Sequence, residues 1–247
     1  LAFRRGLAQA RDRRRLAALT DRLQRFLPEP VARAFLAGTP GTVAEAHVPV
    51  RRTLSFLVAD LEGFTAFART RPPEAISAYL GRWQWLVLDT LARGGGTVDR
   101  FLGDGVLAWV GHPYGRGARV DARRALALAL RLQRRMARLR AAGPADGAPG
   151  PALRVAVHTG ACVVGCFGAG DRFQYTALGH AVNQTFRLQA QGPAGGVLAT
   201  EATVRLAGAR VFRERRTLRL RGLPRPVPVR LWRPRCPLRL TLPTRGG

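Results

Sequence analysis

The chain has no lysine, and isoleucine, asparagine and methionine each occur once, as Ile76, Asn183 and Met136. Residues with A/T-rich codons are scarce while Arg, Ala, Gly and Pro abound, the mark of mutational bias in a GC-rich genome. No apolar run approaches the roughly 18 residues of a membrane span. The N-terminus is arginine-rich with no following apolar stretch, so no signal peptide is visible. Three cysteines, Cys162, Cys166 and Cys236, are an odd number and demand no disulfide framework. Cys162 and Cys166 lack histidine or cysteine partners at metal-ligand spacing and read as buried apolar thiols. A reducing cytoplasm is the compartment this usage implies, with membrane linkage left to a larger protein.

Acidic residues are also few, 15 against 41 basic ones, all arginine, for a net charge of +26. Such an excess invites a nucleic-acid or anionic-membrane reading. Codon bias accounts for most of it, and no zinc-finger spacing, aromatic stacking motif or recognition-helix pattern accompanies it. A specific nucleic-acid partner is therefore not expected. In a chain biased this way a surviving rare residue stands out, and Asn183 is one.

At 247 residues and 47% hydrophobic, the chain can bury one good core with a helical extension. Residues 1–37 read as helical, with Leu16, Leu19, Leu23, Phe26 and Leu27 at amphipathic spacing. Pro28 and Pro30 break that helix, and a second short one runs from Val31 to Leu36. Gly38 to Val50 is a linker. Spacing alone leaves open whether the lead-in transmits a signal or covers the domain. The first residue is Leu rather than Met, so an upstream sensor is compatible with the chain.

From there strand and helix signals alternate. Thr53–Ala59 is a buried strand, and Phe64–Arg93 is helical with a break at Pro72–Pro73. Thr97–Leu102 and Val106–Val110 flank Gly103-Asp104-Gly105, a hairpin signal of the Asp-Gly type. Val120–Ala141 is a long helix. Leu153–Val157 and Cys162–Phe167 are strands, Ala181–Ala190 is helical, and Val197–Trp232 holds further short strands. The predicted class is α+β, a ferredoxin-like βααββαβ sheet with helices on its outer face. Residues 1–50 form the lead-in, 51–233 the main domain and 234–247 a tail.

Two aspartates occupy special places. Asp60 ends an apolar strand at a strand-to-helix corner, and Asp104 sits in the hairpin turn. Each alone has a plain reading, a helix cap or a turn residue. If the two strands pair, the carboxylates converge. Magnesium takes one or two carboxylates plus phosphate oxygens, and two ions so held suit in-line attack at phosphorus.

The stretch TLSFLVADLEGFTAF resembles the first metal motif of the class III adenylate and guanylate cyclase family. GGGTVDRFLGDGVLAWVGHP and LRVAVHTGACVVGCFGAGDRFQYTALGHAVNQTFRL resemble its next two signature blocks, and LRGLPRPVPVRLW the strand pair that ends the domain. RLQRFLPEPVARAFLAG is similar to the helical element that precedes the domain in bacterial members. The resemblance implies a homodimer with two shared sites, each converting ATP to 3′,5′-cyclic AMP and diphosphate for signal transduction. It implies two divalent cations, Mg2+ or Mn2+, held by Asp60 and Asp104 with the carbonyl of Leu61. Asn183 and Arg187, four apart on one helix face, match the partner-chain positions that steady the ribose and the transition-state phosphate. Arg154 and Arg221 match phosphate-binding positions.

Arg100 stands where the family's adenylate cyclases carry a lysine that donates to adenine, and Thr176 matches its acceptor partner. The planar guanidinium is not equivalent to an ammonium and suits the O6/N7 edge of guanine. His180 replaces the usual Asp or Asn, and Gln184, Thr185 and Phe186 replace small residues. These departures keep two alternatives open: guanylate or relaxed base choice, and a catalytically degenerate module that binds nucleotide or partner. Intact Asp60, Asp104, Asn183 and Arg187 favour the enzyme.

Overall fold

The computed structural model describes residues 27–37, 49–142, 150–169 and 172–234. The amphipathic stretch from Leu16 to Phe26, most of the linker after Gly38 and the tail with Cys236 lie outside the described residues.

The described chain runs α1 (Glu29–Leu36), β1 (Val50–Glu62), α2 (Phe64–Arg69), α3 (Pro73–Gly94), β2 (Thr97–Leu102), β3 (Gly105–Val110), α4 (Ala118–Ala142), β4 (Ala152–Ala169), β5 (Arg172–Leu178), α5 (His180–Ala190), β6 (Val197–Thr200), α6 (Glu201–Ala207), β7 (Glu214–Leu218) and β8 (Val227–Trp232). Eight strands form one sheet in the order β2-β3-β1-β4-β6-β8-β7, with β5 added to β4. The β4–β6 pair is parallel and its neighbours are antiparallel. This is the mixed α+β architecture expected from the sequence.

The central strands are buried on both faces, which is why they read as continuous apolar runs rather than alternating ones. Leu54 to Ala59 and all of β3 are buried. On one face Leu57, Ala59 and Leu61 pack with Trp83 and Leu91 of α3 and with Leu126 and Leu132 of α4. On the other, Leu54, Phe56 and Val58 pack with Val31 and Ala32 of α1 and with Ala181 and Val182 of α5. The described part of the lead-in thus covers the second face of the sheet. Asp60 shares parity with Phe56 and Val58 and projects on that second face.

Two expectations are corrected. Leu153–Val157 and Cys162–Phe167, predicted as separate strands, belong to one 18-residue strand. The polar stretch between them stays in the ladder because Ser55 and Thr159 are register partners joined by a 2.8 Å hydroxyl hydrogen bond. The outer half of β4 pairs with β5, which the sequence reading did not identify. The tail holds a short helix, α6, between its strands, closed by Gly208 at φ 65°.

Candidate active site

The hairpin turn is one residue earlier than its Asp-Gly signal suggested. Leu102 pairs with Gly105, so Gly103 and Asp104 are the two central residues. Gly103 supplies the positive φ, 65°, at the first of them. The turn is anchored from behind: Trp83 of α3, fully buried, donates its indole N–H to the Asp104 carbonyl at 3.1 Å.

Beside this turn the β1–β3 pairing ends at Ala59–Val106, so Asp60 and Leu61 lie just past the last pair. A Cβ at Gly105 would stand 3.3 Å from Asp60 Oδ1, so only glycine leaves this approach unhindered. Burial first, and the charge of Asp104 second, hold the Asp60 carboxyl above its ordinary range, against the opposing pull of Arg154. Arg154 is the register partner of Asp60 on β4, with Nη2 3.5 Å from Oδ2. Asp60, Asp104 and Arg154 are therefore together. Gln189 of α5 is the weakest of the influences on the Asp60 carboxylate, its Nε2 buried and without a partner at hydrogen-bond geometry among the described residues, and nothing in its spacing would have announced it.

A second group forms where the sheet edge meets β5. Arg100 on β2 donates from Nη2 to Thr176 Oγ1 at 2.7 Å and from Nη1 to Gln174 Oε1 at 3.0 Å. The proposed base-reading pair is thus assembled within one chain. Gln174 was missed, although period two along β5 puts it on the face of Thr176.

Asn183 and Arg187 are not joined to that cluster. Asn183 is exposed on α5, and the Arg187 guanidinium rests against Gly222, where a Cβ would come 3.1 Å from Nη1. That contact puts Arg187 next to the segment carrying exposed Arg221. Among the described residues no hydrogen bond or ion pair joins Asn183 or Arg187 to Asp60 or Asp104. The unusual residues between them are accommodated: Thr185 is buried and donates to the Ala181 carbonyl at 2.7 Å, and Phe186 packs on the second core. His180 opens the helix and faces His158 electrostatically. Cys162 is buried and its thiol pushed up to about 11, an unreactive group, and Cys166 is half-buried.

Residues 48–228 match the family model of the adenylate and guanylate cyclase catalytic domain. The chain belongs to that family. It is 33% identical over 156 residues to adenylate cyclase 1 of Rhizobium meliloti (strain 1021), a match covering 62% of this chain and 23% of that protein. It is 31% identical over 194 residues to an uncharacterized protein of Mycobacterium tuberculosis (strain ATCC 25618 / H37Rv), covering 74% and 34%. The cyclase domain therefore spans about a quarter to a third of these curated relatives.

Among solved structures it resembles the adenylyl cyclase CyaB from P. aeruginosa, at TM-score 0.70 and 30% identity over 76% of this chain and 97% of that one. The guanylyl cyclase Cya2 is equally close, at 0.69 and 30% over 74% and 92%. A bacterial light-regulated adenylyl cyclase shares the fold over 91% of this chain at TM-score 0.71 and 18% identity.

The donor set of the cyclase domain suits a divalent cation that also binds substrate. Among the described residues no group of three or more His, Cys, Asp or Glu side chains converges, which argues against an all-protein metal cage. A half-buried carboxylate whose ionisation is opposed by burial and by a neighbouring aspartate, as at Asp60, is instead what a hard cation relieves, with phosphate oxygens completing its shell. Asp60, Asp104 and the Leu61 carbonyl beside them are the residues that would hold it. No helix among the described residues is long and apolar enough to cross a membrane.

Proposed function

We propose that this cyclase domain closes a nucleoside triphosphate, ATP in first place, into a 3′,5′-cyclic monophosphate at two sites shared between two copies of the chain. The observation that carries the proposal is an incomplete set. Asp60, Asp104 and Arg154 form one cluster, whereas Asn183 and Arg187 make no hydrogen bond or ion pair to it among the described residues. A second copy supplying its own α5 completes the set. The exposed apolar residues Val163, Phe173 and Leu178 on the β4–β5 arm support such an association.

In the reaction the ribose 3′-oxygen bonds to the α-phosphorus. The bond from that phosphorus to the diphosphate oxygen breaks, diphosphate leaves, and the hydroxyl proton is released. Cations bound at Asp60 and Asp104 would supply positive charge to the phosphate oxygens and lower the cost of ionising the 3′-hydroxyl. Arg154 and Arg221 bind triphosphate oxygens. Asn183 orients the ribose, and Arg187 places a fixed guanidinium where negative charge grows in the transition state. Arg100 and Thr176 read the base, the buried Thr176 accepting from Arg100 Nη2 beside it.

A guanine-tolerant reading has its own support in the fork of Arg100, which matches the O6/N7 edge. The test is product formation by the purified chain with ATP or GTP, in manganese and in magnesium. Cyclic AMP predominating supports the first reading, and cyclic GMP predominating the second. Neither product from a folded dimer contradicts both and leaves a binding module.

A further inference from the structure

Edge strand β2 carries a bulge: Val98 pairs with Ala108 and Arg100 with Leu107, leaving Asp99 as the extra residue. On a regular strand neighbouring side chains point to opposite faces. Here they meet, with Arg100 Nε donating to Asp99 Oδ2 at 2.6 Å. The Asp99 side chain is 0% exposed and that of Arg100 33%. Oδ1 of Asp99 is buried as well and, among the described residues, has no partner at hydrogen-bond geometry, with Thr176 the polar influence on the carboxylate besides Arg100. A carboxylate so enclosed cannot touch a nucleotide. It also costs stability that an apolar residue would not, so what it offers is its hold on Arg100.

Three acceptors now fix the guanidinium: Asp99 on Nε, Thr176 on Nη2 and Gln174 on Nη1. A guanidinium has five N–H donors, so one on each terminal nitrogen is left without a protein acceptor among the described residues. Resting on the reading of Arg100 as the base-contacting residue, we propose that Asp99 is a positioning residue for nucleobase choice. By occupying Nε it prevents the guanidinium from rotating to its side-on edge, and it leaves only the terminal pair of donors for the base. Adenine and guanine differ in what they offer such a pair, because an amine donor replaces the O6 acceptor. Releasing Nε lets Arg100 accommodate either base.

The experiment compares binding of 3′-deoxy-ATP and 3′-deoxy-GTP, which lack the attacking hydroxyl, to the full native chain, Asp99→Asn and Asp99→Ala by calorimetry with manganese. Steady-state kcat/KM for ATP and GTP is measured alongside. The native preference between bases is expected to shrink about tenfold towards parity in both variants, the scale of one good base contact. In an Arg100→Ala background Asp99→Asn is expected to change the preference no further, since it acts through Arg100. A merely structural role would weaken both nucleotides equally, and that result overturns the proposal, as does a native chain with no preference or one that binds neither analogue. Asp99→Ala carries the test if the asparagine variant melts early, having no amide to satisfy. If the native chain binds both analogues and forms no cyclic product, the proposed activity fails while the ratio of dissociation constants still decides the role of Asp99.

Discussion

Asp60 and Arg154 face each other across the two central strands, with guanidinium and carboxylate 3.5 Å apart. The arginine partly offsets the repulsion between Asp60 and Asp104, and a triphosphate arriving at the site offers it a better-matched, more highly charged acceptor. Arg154→Ala is expected to lower kcat/KM for the triphosphate about 10- to 100-fold, mostly through KM, because ground-state phosphate binding is lost. An unchanged KM would remove Arg154 from the phosphate site.

Asp104→Asn removes one of two like charges. Cyclisation should fall by about 100-fold or more, the cost of losing a preorganised electrostatic element. The thermal midpoint should hold or rise, since Asp60 then ionises against less repulsion and the Trp83 hydrogen bond to the Asp104 backbone persists. A matched fall in activity and midpoint would point to a structural role for Asp104.

Gln133 ties the helix layer to the sheet, its Nε2 donating to the carbonyls of Leu153 at 2.8 Å and Gly196 at 2.6 Å. Gln133→Leu leaves the buried Gly196 carbonyl unpaired and the Leu153 carbonyl with only the Gly195 N–H, and urea unfolding should show a loss of about 1–3 kcal/mol. Base preference should not move.

His158 gives the fold a pH limit. Burial, then the charge of His180, lowers its pKa from 6.5 to about 4. Between these values the unfolded chain binds a proton that the folded chain excludes, so stability falls as pH drops from about 6.5 towards about 4. His158→Gln should flatten that slope in denaturant melts, with a difference on the order of 1–3 kcal/mol across the window. An identical slope would mean that other groups set it.

The sequence made the carboxylate pair legible because each aspartate ended or joined apolar runs whose pairing was foreseeable. Asn183 was legible because the codon bias against it made its survival informative. Asp99 was not, since a strand's alternation gives no sign of a bulge, and only the bulge turns the side chain towards Arg100. Gln174 stayed hidden with β5, which pairs with the foreseen Cys162–Phe167 segment of β4 but gave no strand signal of its own. The turn at Gly103–Asp104 shows the same limit: its glycines were visible, but the ladder decided which of them takes the positive φ.

The division of one active site between two chains is tested most directly by mixing. Asp60→Ala and Asn183→Ala chains, each inactive as a homodimer, should regain cyclic nucleotide formation in verified heterodimers, because one of the two shared sites is then intact. Recovery to roughly a quarter to a half of native turnover is the expected result, the range depending on heterodimer fraction. Verified heterodimers that remain inactive would contradict the shared site and require all of its groups to act within one chain.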